Sequence, residues 1–233
     1  MSESFPLSKT LLIDGVGRTN LSVAKPDRFL WSDCPAMLYY RRRLPHWIPD
    51  QATVSVTWRL AGSMPPVSPD ILTAENTGRT FFARDERLER STRGPFWLRE
   101  PRIAKMVEDA LLYGETTRGF YSLHGWVIMP NHVHAVFEPK SALPATMRWL
   151  KGRTSREANR HLGRTGLPFW QDESYDHWIR STGELEDVIA YVENNPVKAG
   201  LVDTKERWPW SSVRRKADDK NRSSAPRLAL RHK

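Results

Sequence analysis

The stretch G-W-V-I-M-P-N-H-V-H-A-V-F-E-P, residues 125–139, constrains the fold more than any other part of the chain. β-Branched and aromatic residues flank a Met129-Pro130-Asn131 turn, so two strands are expected, Phe120–Met129 and His132–Glu138, paired antiparallel. A central hairpin needs partners for its edges and cover for its apolar side chains. The neighbouring sequence supplies both. Ala52 to Leu60, A-T-V-S-V-T-W-R-L, alternates like a strand. Pro101 opens P-R-I-A-K-M-V-E-D-A-L-L-Y-G, where Ile103, Met106, Val107, Ala110 and Leu111 recur at helical spacing and Gly114 is placed to end the run. Pro144 to about Leu162 reads as a second, basic helix, Tyr175 to Arg180 as a fourth strand and Gly183 to about Asn195 as the last helix. The order β-α-β-β-α-β-α predicts an α+β fold, a ferredoxin-like split βαβ unit with an antiparallel sheet and one added helix.

Around this unit the chain is less regular. Residues 1–37 show no sustained periodicity and are expected to be an N-terminal extension, leaving 38–213 as the domain. Residues 62–96, with Pro65, Pro66, Pro69 and Pro95, read as a long connection holding a short helix near Ile71–Asn76. The basic tail, 214–233, has eight Lys or Arg and two Asp, and few apolar side chains. It is expected to be disordered by itself, either an arm on DNA or a solubilising tail.

Composition limits the functional classes. The net charge is +9, which points to an anionic partner, nucleic acid first. Ten tryptophans and many arginines offer flat groups for stacking on unpaired bases, or simply core and solvated surface. No apolar run approaches the ~20 residues of a membrane helix, and the N-terminus lacks a secretory pattern. Cys34 is the single cysteine, so no intramolecular disulfide can form. A cytoplasmic setting without membrane partners follows as the expectation.

His132 and His134 are two residues apart in a strand, so both face one side and can converge on one ion, while Val133 turns into the core. Tyr191 and Asn195 are four apart within I-A-Y-V-E-N-N-P-V-K-A-G-L-V and share a helix face. The phenol is a possible nucleophile and the amide a possible ligand. Equally, Tyr191 could be half-buried on an amphipathic helix, with Asn195 as a cap before Pro196.

These residues resemble a known family. His-x-His after M-P-N, with a tyrosine four residues before an asparagine in Y-V-E-N-N-P-V-K-A-G-L-V, is similar to the HUH single-tyrosine transposases, and most of all to the REP-associated tyrosine transposases. The likeness extends through L-Y-Y-R-R-R-L-P-H-W, M-R-W-L-K-G-R-T-S-R-E-A-N-R, F-W-Q-D-E-S-Y-D-H-W-I-R and W-P-W-S-S, over roughly 38–213. The resemblance implies a metal-dependent endonuclease and strand transferase acting on single-stranded DNA beside palindromic hairpins of the repetitive extragenic type. It implies Tyr191 as nucleophile, forming a 5′-phosphotyrosine, and His132, His134 and Asn195 as ligands of a divalent ion, Mg²⁺ or Mn²⁺. Cytoplasmic, nucleoid-associated action as a monomer or homodimer would follow.

DNA contacts are expected from Arg41, Arg42 and Arg43 and from Arg148, Lys151, Arg153 and Arg156 on the basic helix. No G-x-x-x-x-G-K-[ST] loop is present, in keeping with a covalent ester that needs no nucleotide fuel. Two other readings use the same residues. One is a ferredoxin-like nucleic-acid-binding module without catalysis. The other is a zinc-dependent hydrolase completed by His124 or His177.

Overall fold

The computed structural model describes residues 37–41, 45–49, 52–63 and 94–224. The expected N-terminal extension, the helix near Ile71–Asn76, and Arg42 and Arg43 lie outside the described residues. Ala36–Lys233 forms one unit.

Strands β1 (Met37–Arg41) and β2 (Pro45–Pro49) pair antiparallel as a separate two-stranded sheet. The sequence had marked this region only as an arginine cluster. Strand β3 (Val54–Arg59) begins the main unit. Helix α1 (Pro101–Thr116) follows, then β4 (Tyr121–Ile128), β5 (His132–Pro139), helix α2 (Leu143–His161) and β6 (Tyr175–Trp178). The four strands lie in the order β4-β5-β3-β6, with every neighbouring pair antiparallel. The two strands preceding the crossover helices, β3 and β5, hold the centre. This is the split βαβ arrangement expected from the element order.

Alternation along the strands separates two environments. Val133, Ala135 and Phe137 of β5, with Val54, Val56 and Trp58 of β3, meet Ile103, Val107 and Leu111 of α1 and Met147 and Leu150 of α2 in the larger core. Both crossover helices therefore cover one side of the sheet. Contrary to expectation, α1 runs past Gly114 to Thr116. Gly114 is instead a packing requirement, because the Tyr121 hydroxyl lies against its Cα and donates to Leu111 O at 2.7 Å.

The opposite side of the sheet carries a smaller core. Helix α3 (Thr182–Glu193) sets Val188 and Val192 against Val127, Met129 and Val136. Ser181 caps α3 by accepting the Glu184 N–H at 3.1 Å, and the Glu184 carboxylate accepts the Arg180 N–H at 2.7 Å. The approach is close at Gly125, where an added Cβ would stand 3.2 Å from Ile189 Cγ2.

Two expectations about the C-terminal part need correction. The helix predicted to run to Asn195 stops at Glu193, with Asn194 as its cap, and a short turn α4 (Asn195–Lys198) follows. Pro196 has no N–H to continue the ladder, which explains the break. Nor is α3 the last helix. Ser212–Ser224 forms α5, so residues 214–224 of the expected disordered tail are helical, and 225–233 lie outside the described residues. Burial of its first turn accounts for this. The Ser212 hydroxyl accepts the Trp126 N–H at 3.1 Å and lies 2.9 Å from the Glu193 carboxylate, which also accepts Lys216 Nζ at 3.0 Å. Arg214 and Asp218 add an i,i+4 pair at 3.3 Å.

Candidate metal and tyrosine site

The smaller-core side of the sheet is also the side of the two histidines. Register fixes this: Thr57 lies opposite His134 and Arg59 opposite His132 across β3–β5, and Val127 lies opposite His134 across β4–β5. Directly opposed residues share a face. His132 and His134 are both fully enclosed, at 1% and 0% exposure, with ring centroids 4.6 Å apart.

Each ring is oriented by a neighbour the sequence had not singled out. His132 Nδ1 lies 2.6 Å from Asn131 Oδ1. An amide oxygen only accepts, so Nδ1 bears the proton and Nε2 keeps its lone pair. His134 Nδ1 lies 2.8 Å from the Thr57 hydroxyl, and its Nε2 accepts from Asn195 Nδ2 at 3.3 Å. Asn195 is completely buried, so α4 delivers the amide straight onto the histidine pair. Three of the four residues expected to act together are thus assembled.

Two atoms in this cluster, His132 Nε2 and Asn195 Oδ1, are buried without a hydrogen-bond partner among the described residues. Leaving such acceptors unsatisfied is costly, and their lone pairs suit a hard or borderline cation. A half-turn of the Asn195 amide would set its oxygen beside His134 Nε2. Among the described residues no group of three or more His, Cys, Asp or Glu could hold a metal ion. What this cluster offers a cation is two imidazoles and an amide. His124 lies at the β4 bulge and His177 Nε2 bonds Glu184 at 2.8 Å, so neither completes the zinc arrangement considered above.

Electrostatics keep both imidazoles neutral. Burial, reinforced by the nearby Arg59 charge, pushes His132 down to about 3 from an ordinary 6.5. Burial, then His132, pushes His134 well below its ordinary value. Neutral imidazoles are the metal-binding form. Between about pH 6.5 and 3 the unfolded chain binds a proton at His132 that the folded chain refuses, so stability should fall as pH drops through this window. Thermal melts of the chelator-treated protein should show this loss, with a shallower slope for His132→Asn. Parallel slopes for the two proteins would contradict it.

Tyr191 stands on α3, half-buried and packed against the smaller core, on the histidine side of the sheet. The Lys198 ammonium lies 3.5 Å from its ring centroid. Glu193, two residues on, is buried and holds Ser212, Lys205 and Lys216, fixing the end of α3. Sequence reasoning had not singled out Glu193, Thr57, Arg59 or Asn131. Only Asn131 carried a local signal, as the last residue of the M-P-N turn.

The expected DNA-contact residues lie elsewhere. Arg148, Arg153 and Arg156 are exposed on α2, across the sheet from the histidines, and Arg41 is the last residue of β1. Lys151 does not join them. Its ammonium donates to Gln171 O at 2.6 Å and Asp172 O at 2.7 Å, tying α2 to the approach of β6.

Comparison with known proteins agrees with the motifs. Residues 101–195 match the family model described as transposase IS200 like. The chain is 29% identical over 114 residues to the REP-associated tyrosine transposase of Escherichia coli K12, an overlap of 48% of this chain and 65% of that protein. A Haemophilus influenzae protein named for the same group is 31% identical over 101 residues, covering 38% of this chain and 56% of its own length. The chain thus spans somewhat less than two thirds of these curated relatives. The solved structure of a REP-associated tyrosine transposase bound to a REP hairpin is 21% identical, covering 80% of this chain and 87% of that one, with a TM-score of 0.49. With its paired histidines, tyrosine and asparagine in that segment, the chain is similar to the IS200-like transposases and to the REP-associated tyrosine transposases.

Proposed function

We propose that this protein nicks and rejoins single-stranded DNA at the foot of palindromic hairpins, with Tyr191 as nucleophile. The observation that carries the reading is the buried, unsatisfied pair His132 Nε2 and Asn195 Oδ1 beside His134, on the side of the sheet that α3 covers. His132, His134 and Asn195 would hold a divalent ion, Mg²⁺ or Mn²⁺. When bound, such an ion supplies Lewis-acid polarisation of a phosphodiester.

The chain's own groups do the rest. The Tyr191 oxygen attacks phosphorus and forms a 5′-phosphotyrosine, and the strand departs as a 3′-hydroxyl. The phenolic proton leaves to solvent, and the departing 3′-oxygen takes a proton from solvent. Attack by a 3′-hydroxyl on the ester reverses the step and joins strands, so the bond energy is retained. Arg59, opposite His132, places positive charge where a phosphate would approach, and Lys198 favours negative charge on the phenol it overlies. Arg148, Arg153 and Arg156, with Arg41, Arg42 and Arg43, would hold the DNA backbone. Repetitive extragenic palindromes in the cytoplasmic nucleoid are the target this reading favours.

The direct test mixes protein, Mn²⁺ and a hairpin oligonucleotide with a single-stranded flank, then runs a denaturing gel. A protein–DNA adduct supports the proposal. Cleavage with both ends free would favour a hydrolase, and binding without cleavage a non-catalytic module. Thr57→Val should also be informative. It removes the hydroxyl that orients His134 while keeping the side chain's shape. Loss of such an outer partner typically weakens metal affinity or activity ~10–100-fold. A higher Mn²⁺ requirement for nicking, with hairpin affinity unchanged, is the expected result.

A further inference from the structure

The strongest cluster outside the histidine site is aromatic and cationic. It lies where the end of α1, the start of β4 and the first half of α2 meet. Tyr113 stacks on Trp149 with ring centroids 6.2 Å apart and planes inclined by 19°. Phe120 meets Trp149 edge-on at 5.2 Å. The Arg153 guanidinium lies 5.1 Å from the Tyr113 ring centroid, and Arg118 lies 4.9 Å from that of Phe120. Tyr113 is 40% exposed, so part of its side chain faces solvent at the edge of this cluster.

A shallow groove leads away from this ladder along α2, lined by Arg153, Arg156, Glu157 and Arg160. The three arginines sit at i, i+3 and i+7 and share a helix face. Three cations against one carboxylate suit an anionic chain, and an exposed ring stacked with guanidinium suits a nucleobase. Together they match a strand whose bases are unpaired. A duplex keeps its bases stacked inside, so it could use the arginines but not Tyr113.

We infer that this corner is an exosite for unpaired nucleotides of single-stranded DNA, on the opposite side of the sheet from His132 and His134. It rests on the DNA-binding half of the proposed function and not on the chemistry at Tyr191. One base would stack on the Tyr113–Trp149 pair while the adjoining phosphates follow Arg153, Arg156 and Arg160. Its contribution is to hold a single-stranded flank, independently of metal.

The test uses the full chain in chelator with dye-labelled oligothymidylate and, separately, a blunt duplex. Tyr113→Ala should weaken oligothymidylate binding about tenfold, as loss of one base–aromatic stack does. Tyr113→Phe should retain wild-type affinity, since it keeps the ring. Duplex affinity should be unchanged by either substitution. Unchanged oligothymidylate binding by Tyr113→Ala would overturn the inference, and so would an equal loss on duplex. Melting temperatures of the two variants separate a lost contact from a lost fold. If no adduct forms at Tyr191 yet Tyr113→Ala behaves as stated, the exosite stands and the nuclease reading falls. If the adduct forms and Tyr113→Ala has no effect, the exosite falls and the nuclease reading stands.

Discussion

Tyr191→Phe should abolish the covalent protein–DNA product while leaving hairpin binding close to wild type. The substitution removes one oxygen from a half-buried ring. The ring's packing against the smaller core and its contact with Lys198 use the aromatic body, which phenylalanine keeps. Fold and affinity should therefore survive. Loss of a covalent nucleophile typically removes several powers of ten in rate, ~10³-fold or more. The readout is radiolabel retained on protein after denaturation. Adduct at wild-type yield from the phenylalanine variant would end the assignment of Tyr191.

The second large effect is expected at His134. It is the most connected member of the site, touching Thr57 through Nδ1 and Asn195 through Nε2. His134→Ala removes a nitrogen proposed to hold the ion and takes from the buried Asn195 amide its partner at His134 Nε2. Mn²⁺-dependent nicking should fall below detection, a loss of roughly 10²-fold or more. Binding of unpaired DNA should persist, because the arginines and aromatics of α1 and α2 lie beyond the sheet. Isothermal titration with Mn²⁺ checks the cause. Wild-type Mn²⁺ affinity in the alanine variant would remove His134 from the donor set. An additional loss of stability of ~1–3 kcal/mol is expected from the cavity and the stranded amide.

The sheet and its crossover helices were legible in the sequence because they obey strong periodicities. Ile103, Val107 and Leu111 mark α1 at helical spacing, and Val133 and His134 declare opposite faces of β5 by alternation alone. Partners set by long-range register were not legible. Thr57 is an ordinary strand threonine until β3 lies beside β5, and Arg59 meets His132 for the same reason. Helix ends were misplaced where a tertiary contact overrode a local signal. Gly114 reads as a stop, yet the Tyr121 hydroxyl needs its missing side chain. The helical start of the basic tail was hidden because its anchors, Trp126 and Glu193, come from distant parts of the chain.

The alternation of β5 also bears on how such a protein can change. Neighbouring positions in that strand answer to different tasks, Val133 to the helix layer and His132 and His134 to the opposite face. If the outward surface of α2 holds DNA as proposed, substitutions there would retune which nucleic acid is held, with the whole sheet standing between them and the imidazoles. On the proposed reading, target preference and bond-breaking would be free to diverge separately, which would let descendants of one ancestor adopt new genomic addresses without relearning their chemistry.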